Sequence, residues 1–296
     1  MSWTEKRGIE LSSGRLAVVD AGDPDAPALV LVAGGFTSSF LWRELIPLLS
    51  PWMRVLAPDL LGSGDSGGAE DLTLMAHSAS IRELLERLGI ERFAIAGHGH
   101  GGGVAQLVAI ESGAEALVLV DAIAFDAWPA PAVRELRGNL DAVDPPFVES
   151  WLRAAFDGGM SRRERLSDLE LAEYLRPFVA EGGVERFVAV AASFDGRGLE
   201  AVEPRLRELE IPALVVWGED DAFVDAGLAE RLGDALPMAT VALLPGCGHF
   251  LLEDASETVA PLIFRWLRSR YLKVEHRHEE GPVEVYLGRR PPGEGG

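Results

Sequence analysis

The chain is poor in cysteine, in basic residues and in long apolar runs, and each shortage excludes something. Its one cysteine, Cys247, cannot form an internal disulfide, which suits a reducing cytoplasm. Lys and Arg total 27 against 47 Asp and Glu, and the resulting net charge of −20 argues against a DNA- or RNA-binding surface. No apolar run reaches the roughly 18 residues that a membrane helix needs. The opening MSWTEKRGIE also lacks the apolar segment of a secretory signal. We therefore expect a cytoplasmic protein that binds a small-molecule substrate and has neither a nucleic acid nor a membrane as its partner. The sequence does not determine its oligomeric state.

Short apolar runs alternate with amphipathic stretches along the first part of the chain. ALVLVA, RVLAPD, RFAIAG and ALVLVD have the length and composition of buried parallel strands. The stretch after Thr73 has apolar residues at helical spacing, with Thr73 as a plausible N-cap and Gly89 as its stop. FLWRELIPLLS, residues 40–50, also predicts a helix. Strands that alternate with helices indicate an α/β fold with a parallel sheet.

The alternation stops in the middle of the chain and then resumes. Residues 126–197 contain no strand-like run but several amphipathic helical stretches, which predicts a helical insertion. The core then comprises residues 1–125 and 198–272. Residues 273–296 form a tail in which KVEH and VEVYLG predict a small hairpin before a disordered end.

The stretch GHGHGGG, residues 97–103, fits two different templates. Gly97, Gly99 and Gly102 form the G-x-G-x-x-G of a dinucleotide-binding turn, and Asp121 lies near the place of a ribose-binding acid. Against this, at least four strand candidates precede the turn, and bulky histidines flank a backbone that would have to approach a pyrophosphate. The same letters also fit the G-x-nucleophile-x-G turn called the nucleophile elbow, with Gly99 at the nucleophile position.

Other stretches fit the second template in chain order. Gly34-Gly35-Phe36 follows the strand ALVLVA, and PDLLGSGDSG follows the next strand. After the insertion, GEDD ends at Asp221 and follows a strand, and GCGHF places His249 after the last strand. The order nucleophile, acid, base is that of the α/β-hydrolases. Over residues 8–272 the chain therefore resembles the α/β-hydrolase superfamily, of the type that carries a helical cap.

The resemblance implies a mostly parallel eight-stranded sheet with flanking helices and the insertion as an inserted helical cap. It implies that Asp221 is the acid of the triad, although Asp220 is a rival, and that His249 is the base. It also implies an oxyanion hole built from the backbone N–H groups of Phe36 and His100.

The remaining candidate residues carry weaker signals. We interpret His77 and His98 as structural and Cys247 as a packing residue. Gly35, Trp128 and Trp151 are candidates for substrate binding. The apolar positions of the insertion suggest a small, mainly apolar ligand but would equally pack the cap onto the core; they are Trp128, Phe147, Trp151, Phe156, Phe178 and Phe187. The sequence shows no metal-ligand spacing, and no cofactor motif is expected.

Gly99 leaves three hypotheses for function. A glycine has no side chain, so the covalent route through this position is closed, whether the ancestral nucleophile was Ser or Asp. The first hypothesis is an enzyme in which His249 and Asp221 act as a general base. The second is an inactive binding protein on a hydrolase scaffold. The third is an ester, epoxide or haloalkane hydrolase that has been disabled, naturally or by design.

Overall fold

A computed structural model describes residues 5–273 of the chain, and its strands form one eight-stranded sheet. Five of the eight strands are five or six residues long with every residue buried or nearly so, as the continuous apolar runs predict. The strands are β1 (Lys6–Leu11), β2 (Gly14–Ala21), β3 (Ala28–Val32), β4 (Arg54–Pro58), β5 (Phe93–His98), β6 (Ala116–Val120), β7 (Ala213–Gly218) and β8 (Ala239–Leu244).

Eleven α-helices lie within the described residues. They are α1 (Ile46–Leu49), α2 (Leu74–Arg87), α3 (His100–Ser112), α4 (Pro131–Arg137), α5 (Pro145–Gly159), α6 (Asp168–Val179), α7 (Gly183–Ser193), α8 (Val202–Arg207), α9 (Gly227–Ala235), α10 (Leu251–Asp254) and α11 (Ser256–Arg270). Three 3-10 turns add Ser39–Trp42, Leu140–Ala142 and Arg163–Arg165. No helix of the described part has the length and apolarity needed to cross a membrane.

The strand order across the sheet is β1-β2-β4-β3-β5-β6-β7-β8. β2 pairs antiparallel with both of its neighbours, β1 and β4. All other neighbouring strands in this order pair parallel. The predicted eight-stranded, mostly parallel sheet is therefore confirmed. Since parallel strands all end at the same edge, the loops after β3, β5, β7 and β8 meet there.

Side-chain alternation along the strands builds two cores, one on each face of the sheet. In β3, Leu29 and Leu31 join one cluster, and Val30 and Val32 join the other. The first cluster packs against α11, and the second packs against α2, α3 and α9. This sandwich of helix, sheet and helix fixes the strand ends that carry the site.

Local signals in the sequence determine both ends of α2. The Thr73 hydroxyl accepts the N–H of Ala76 as the N-cap of α2, and Gly89 follows the helix with a φ of +66°. The prediction of one helix over residues 40–50 is wrong. The chain instead forms the 3-10 turn Ser39–Trp42 and then the separate α1, because Pro47 lacks an N–H and its ring would clash with the carbonyl of residue 43 in a continuous helix.

Between β6 and β7 the described chain forms only helices and turns, from α4 to α8. Its division into a core and a cap at residues 126–197 stays a prediction. The predicted tail hairpin begins at Lys273, and nearly all of it lies outside the described residues.

Candidate active site

The sharp turn between β5 and α3 consists of Gly99, which has a φ of 53° and a ψ of −120°. A positive φ of this kind favours glycine. The neighbouring glycines are needed for space, since a Cβ on Gly97 would overlap Gly101 and a Cβ on Gly101 would overlap the carbonyl oxygens of Val32 and Ala33. The glycine cluster therefore lets a strand and a helix pack backbone to backbone around a strained turn.

The loops after β7 and β8 bring Asp221 and His249 together. The Nδ1 of His249 lies 2.9 Å from the Oδ2 of Asp221. The other carboxylate oxygen of Asp221 accepts the backbone N–H groups of Phe223 and Val224 at 2.8 and 2.9 Å. Asp220, the rival acid, is exposed at this position while the side chain of Asp221 is fully buried. The structure thus pairs His249 with Asp221.

The second ring nitrogen of His249 faces the elbow. An ideal Cβ on Gly99 would lie 3.3 Å from the Nε2 of His249 and 3.6 Å from its Cε1, with no other heavy atom within 4 Å apart from its chain neighbours. A side chain at position 99 would therefore have space and would lie within hydrogen-bonding reach of the imidazole.

His98 ties the end of β5 to the loop of His249. Its Nε2 lies 2.9 Å from the carbonyl oxygen of His249, which makes Nε2 the protonated donor. Burial, together with the nearby His249, lowers the pKa of His98 to about 3, so its ring is neutral. His77 is also buried, and burial lowers its pKa to about 4. With pKa values this low, both rings are weak bases that hold no extra proton near neutral pH, and neither is matched to general-base work there.

The loop after β3 lies against the elbow and the helices of residues 126–197. Thr37 donates its backbone N–H and its hydroxyl to the carbonyl of Gly34 at 3.2 and 3.1 Å, and the Ser63 hydroxyl donates to the carbonyl of Gly35. The ring of Phe36 contacts four aromatic rings with centroids 4.9–5.5 Å away, namely Trp151, Phe178, Phe187 and Phe194. Aromatic packing therefore fixes the segment that presents the Phe36 N–H.

The two expected oxyanion donors carry no hydrogen bond to other backbone groups within residues 5–273. His100 is the first residue of α3, where helix N–H groups have no partner inside the helix. The backbone bonds of the described loops likewise include none from the N–H of Phe36. Both groups are free to donate to a ligand.

A cavity of about 230 Å³ lies above Gly99. The three expected substrate-binding residues, Gly35, Trp128 and Trp151, line it together with His98, His100 and His249. Of the other four apolar positions singled out in the insertion, Phe156 also lines the cavity, Phe178 and Phe187 pack around Phe36, and Phe147 packs against the hydrophobic core without lining the cavity. Within the described part of the chain its lining contains no Asp, Glu, Lys or Arg.

Comparison with known proteins identifies the family. A model of the alpha/beta hydrolase family matches residues 29–262, which is most of the chain. The chain belongs to the α/β-hydrolase family. With that, the dinucleotide interpretation of residues 97–103 is set aside, since the same glycines form the family's strand–turn–helix.

The similar proteins include a haloalkane dehalogenase and a subunit of a magnesium chelatase. Haloalkane dehalogenase 2 of Mycobacterium tuberculosis is 29% identical over 277 residues, covering 88% of this chain and 93% of that protein. The magnesium-chelatase 30 kDa subunit of Rhodobacter capsulatus is 26% identical over 262 residues, covering 84% of this chain and 90% of that subunit.

Solved structures share the fold. An alpha/beta hydrolase fold protein from Burkholderia ambifaria superposes with a TM-score of 0.81 at 26% identity, covering 89% of this chain and 97% of that one. The epoxide hydrolase CorEH superposes with a TM-score of 0.76 at 22% identity, covering 89% and 98% of the two chains. At 22% identity this second likeness shows the fold alone.

Two buried carboxylates of this α/β-hydrolase were not identified from the sequence as part of the site. Asp254 accepts the N–H of Gly248, next to His249, at 2.7 Å and the N–H groups of Ser161 and Arg162 at 2.9 Å each. It thereby joins the loop of His249 to the segment that follows α5. No local pattern marks Asp254, because two of its three donors come from a segment that is distant in the chain.

Asp121, the second such carboxylate, directly follows β6 and accepts the N–H of Gly218, the last residue of β7, at 2.8 Å. Burial first, and then the charge of Asp221, raise the pKa of Asp121 well above its usual range. The sequence analysis gave Asp121 a role only as a ribose ligand. The structure instead places it next to Gly218, at the start of the loop that carries Asp221. The sequence did offer one signal for this contact: Asp121 and Asp221 both follow predicted parallel strands, whose ends lie at the same edge of the sheet.

Cys247 is buried, and burial raises the pKa of its thiol to about 11, which keeps it unreactive. Within residues 5–273 no group of three or more His, Cys, Asp or Glu side chains is arranged to hold a metal ion.

Proposed function

We propose that this α/β-hydrolase is an enzyme for a small, mainly apolar substrate and that it works without a covalent nucleophile. The observation that carries this proposal is the position of the His249 Nε2, which faces Gly99 at the floor of an apolar cavity while Nδ1 is held by Asp221. A working general base needs this pairing and open space at the elbow.

Because Gly99 offers no nucleophilic atom, the attacking group has to be water, or else the substrate has to lose a proton. Asp221 accepts the Nδ1–H of His249, which leaves Nε2 as the basic nitrogen. His249 then removes a proton from water or from the substrate. In a hydrolytic step, the oxygen of that water bonds to the reacting carbon of the substrate, and the leaving group departs with the electrons of the broken bond. The proton taken from water stays on Nε2 of His249 until the ring gives it up.

Negative charge that develops on a substrate oxygen would be stabilised by the N–H groups of Phe36 and His100. In serine hydrolases one such donor is worth about 3–4 kcal/mol. Serine proteases that have lost a triad residue keep about 10³–10⁴-fold catalysis over water through the oxyanion hole and binding. A slow but real turnover is the expected outcome for this chain.

The relatives direct the choice of substrates. Haloalkane dehalogenase 2 of Mycobacterium tuberculosis and the epoxide hydrolase CorEH both resemble this chain, which supports haloalkanes and epoxides beside esters and lactones as test compounds. The cavity of about 230 Å³ favours the smallest members of each class.

The test is a panel of aryl esters, lactones, epoxides and haloalkanes measured with the unmodified protein and with His249→Ala, Gly99→Ser and Gly99→Asp. We expect turnover of at least one class by the unmodified protein and its loss in His249→Ala. Turnover only in Gly99→Ser or Gly99→Asp would instead identify a disabled hydrolase and its ancestral nucleophile. If none of the four proteins turns over any compound of the panel, the result would favour a binding protein.

A further inference from the structure

The imidazole of His100 is the least satisfied polar group in the site. It is 4% exposed and lines the cavity, and neither of its ring nitrogens has a hydrogen-bond partner within residues 5–273. A neutral imidazole always carries one N–H donor and one acceptor nitrogen. A buried donor without a partner is costly and calls for an explanation.

The surroundings of His100 are apolar or aromatic. Its ring centroid lies 4.8 Å from that of Phe194 and 5.9 Å from that of His77. Burial, and then the nearby His77, lower the pKa of His100 to about 3. The ring is therefore an uncharged hydrogen-bonding group at neutral pH and does not act as a cation.

A second unpaired donor lines the same cavity. The indole N–H of Trp128 is buried without a partner within the described chain, and the Trp128 ring packs on Phe194 with centroids 5.7 Å apart. Phe194 thus contacts both residues. The described lining of the cavity contains no Asp, Glu, Lys or Arg, so no permanently charged side chain faces a charged ligand.

We propose that the His100 side chain is a specificity determinant that donates a hydrogen bond to an uncharged oxygen, such as a carbonyl, of an otherwise apolar substrate. This role is separate from that of the His100 backbone N–H at the reacting centre. The proposal rests on the proposed function, because the ligand is taken to be the substrate of the same cavity. The His100 side chain would then select neutral, oxygen-bearing aromatic or aliphatic compounds over pure hydrocarbons and over carboxylates.

The experiment measures dissociation constants at pH 7 for acetophenone, ethylbenzene and benzoate, by calorimetry on the full chain. We expect acetophenone to bind about five- to tenfold tighter than ethylbenzene, as one hydrogen bond in a dry site provides. Benzoate should bind more weakly than acetophenone, because no cation receives its charge.

Three variants assign the preference to a side chain. In His100→Phe, which keeps a ring against Phe194, the ratio of the acetophenone and ethylbenzene constants should fall to about one. His100→Gln retains an N–H donor and should keep part of the ratio, which also covers the case in which the phenylalanine variant does not fold. His77→Phe is the matched control, since His77 is buried beside His100 but does not line the cavity, and its ratio should be unchanged.

An unchanged ratio in His100→Phe would overturn the proposal, as would equal affinity of the two neutral probes in the unmodified protein, tighter binding of benzoate, or no binding of either neutral probe. Because binding is measured without turnover, the two proposals fail separately. An intact ratio in a protein that turns over none of the panel would overturn the general-base function only. Turnover with a ratio of one would overturn only the role of the His100 side chain.

Discussion

Gly99 and Gly101 lie two residues apart, yet a side chain at each position would meet a different physical constraint. Gly99 has a positive φ of 53°, but a Cβ there would meet only the imidazole of His249 within 4 Å. Gly101 lies in α3, where a Cβ would overlap the carbonyl oxygens of Val32 and Ala33. A side chain at position 99 therefore strains the local backbone, whereas one at position 101 pushes a helix away from the sheet.

Gly101→Ala should lower the free energy of unfolding by about 1–3 kcal/mol, the usual effect of overpacking a rigid contact. Gly158→Ala is the matched control, because it also lies within a helix but has no atom within 4 Å of its Cβ position. That variant should stabilise the protein by up to about 1 kcal/mol through the lost freedom of the unfolded glycine. Urea unfolding of both variants checks this, and equal effects at the two positions would contradict it.

At the scale of elements, a buried charge cluster links α6 to two parts of the core. Arg43, which follows the 3-10 turn Ser39–Trp42, donates to Glu253 of α10 and to Glu170 of α6. The Tyr174 hydroxyl of α6 donates to Glu253 as well. Glu253 is almost fully buried, so its charge depends on these donors.

Arg43→Met should cost about 3–5 kcal/mol of unfolding free energy, because it leaves the buried carboxylate of Glu253 without its cation. The double variant Arg43→Met, Glu253→Gln should recover part of that loss, since a neutral amide oxygen still accepts the Tyr174 hydroxyl. Arg82→Met removes an exposed pair with Glu111 and should change stability by less than about 1 kcal/mol. A double-mutant cycle followed by urea unfolding measures these values, and a double variant as unstable as the single one would refute the explanation.

The sequence predicted those features that are local or follow chain order. Thr73 and the apolar strand runs determine helix and strand positions, and the order of Gly99, Asp221 and His249 indicates the fold. The choice between Asp220 and Asp221 required geometry, because adjacent residues share every local pattern. Asp254 could not be predicted, since two of its three hydrogen-bond donors, Ser161 and Arg162, lie about 90 residues away in the chain and only tertiary structure brings them to it.

For the whole molecule, folding lowers the pKa values of three buried histidines and raises the pKa of one buried aspartate. Burial lowers the pKa of His77 to about 4 and the pKa values of His98 and His100 to about 3. Nearby charges modify these values but do not reverse them. Asp121 has the opposite effect, because burial and Asp221 raise its pKa well above its usual range. Folding therefore couples to pH through groups that lie in or beside the site.

Below about pH 6.5 the unfolded chain protonates these three histidines, whereas the folded chain keeps them neutral until a much lower pH. The unfolded state then binds more protons, so stability falls as the pH falls from about 6.5 to about 5. Asp121, whose raised pKa acts in the opposite direction, reduces this difference, so the slope is at most about three protons, each worth about 1.4 kcal/mol per pH unit. Urea unfolding at closely spaced pH values measures the slope directly. His77→Phe removes one of the three groups without lining the cavity and should reduce the slope by about one proton, or about 1.4 kcal/mol per pH unit; a slope unaffected by this variant would show that the buried histidines do not control acid stability.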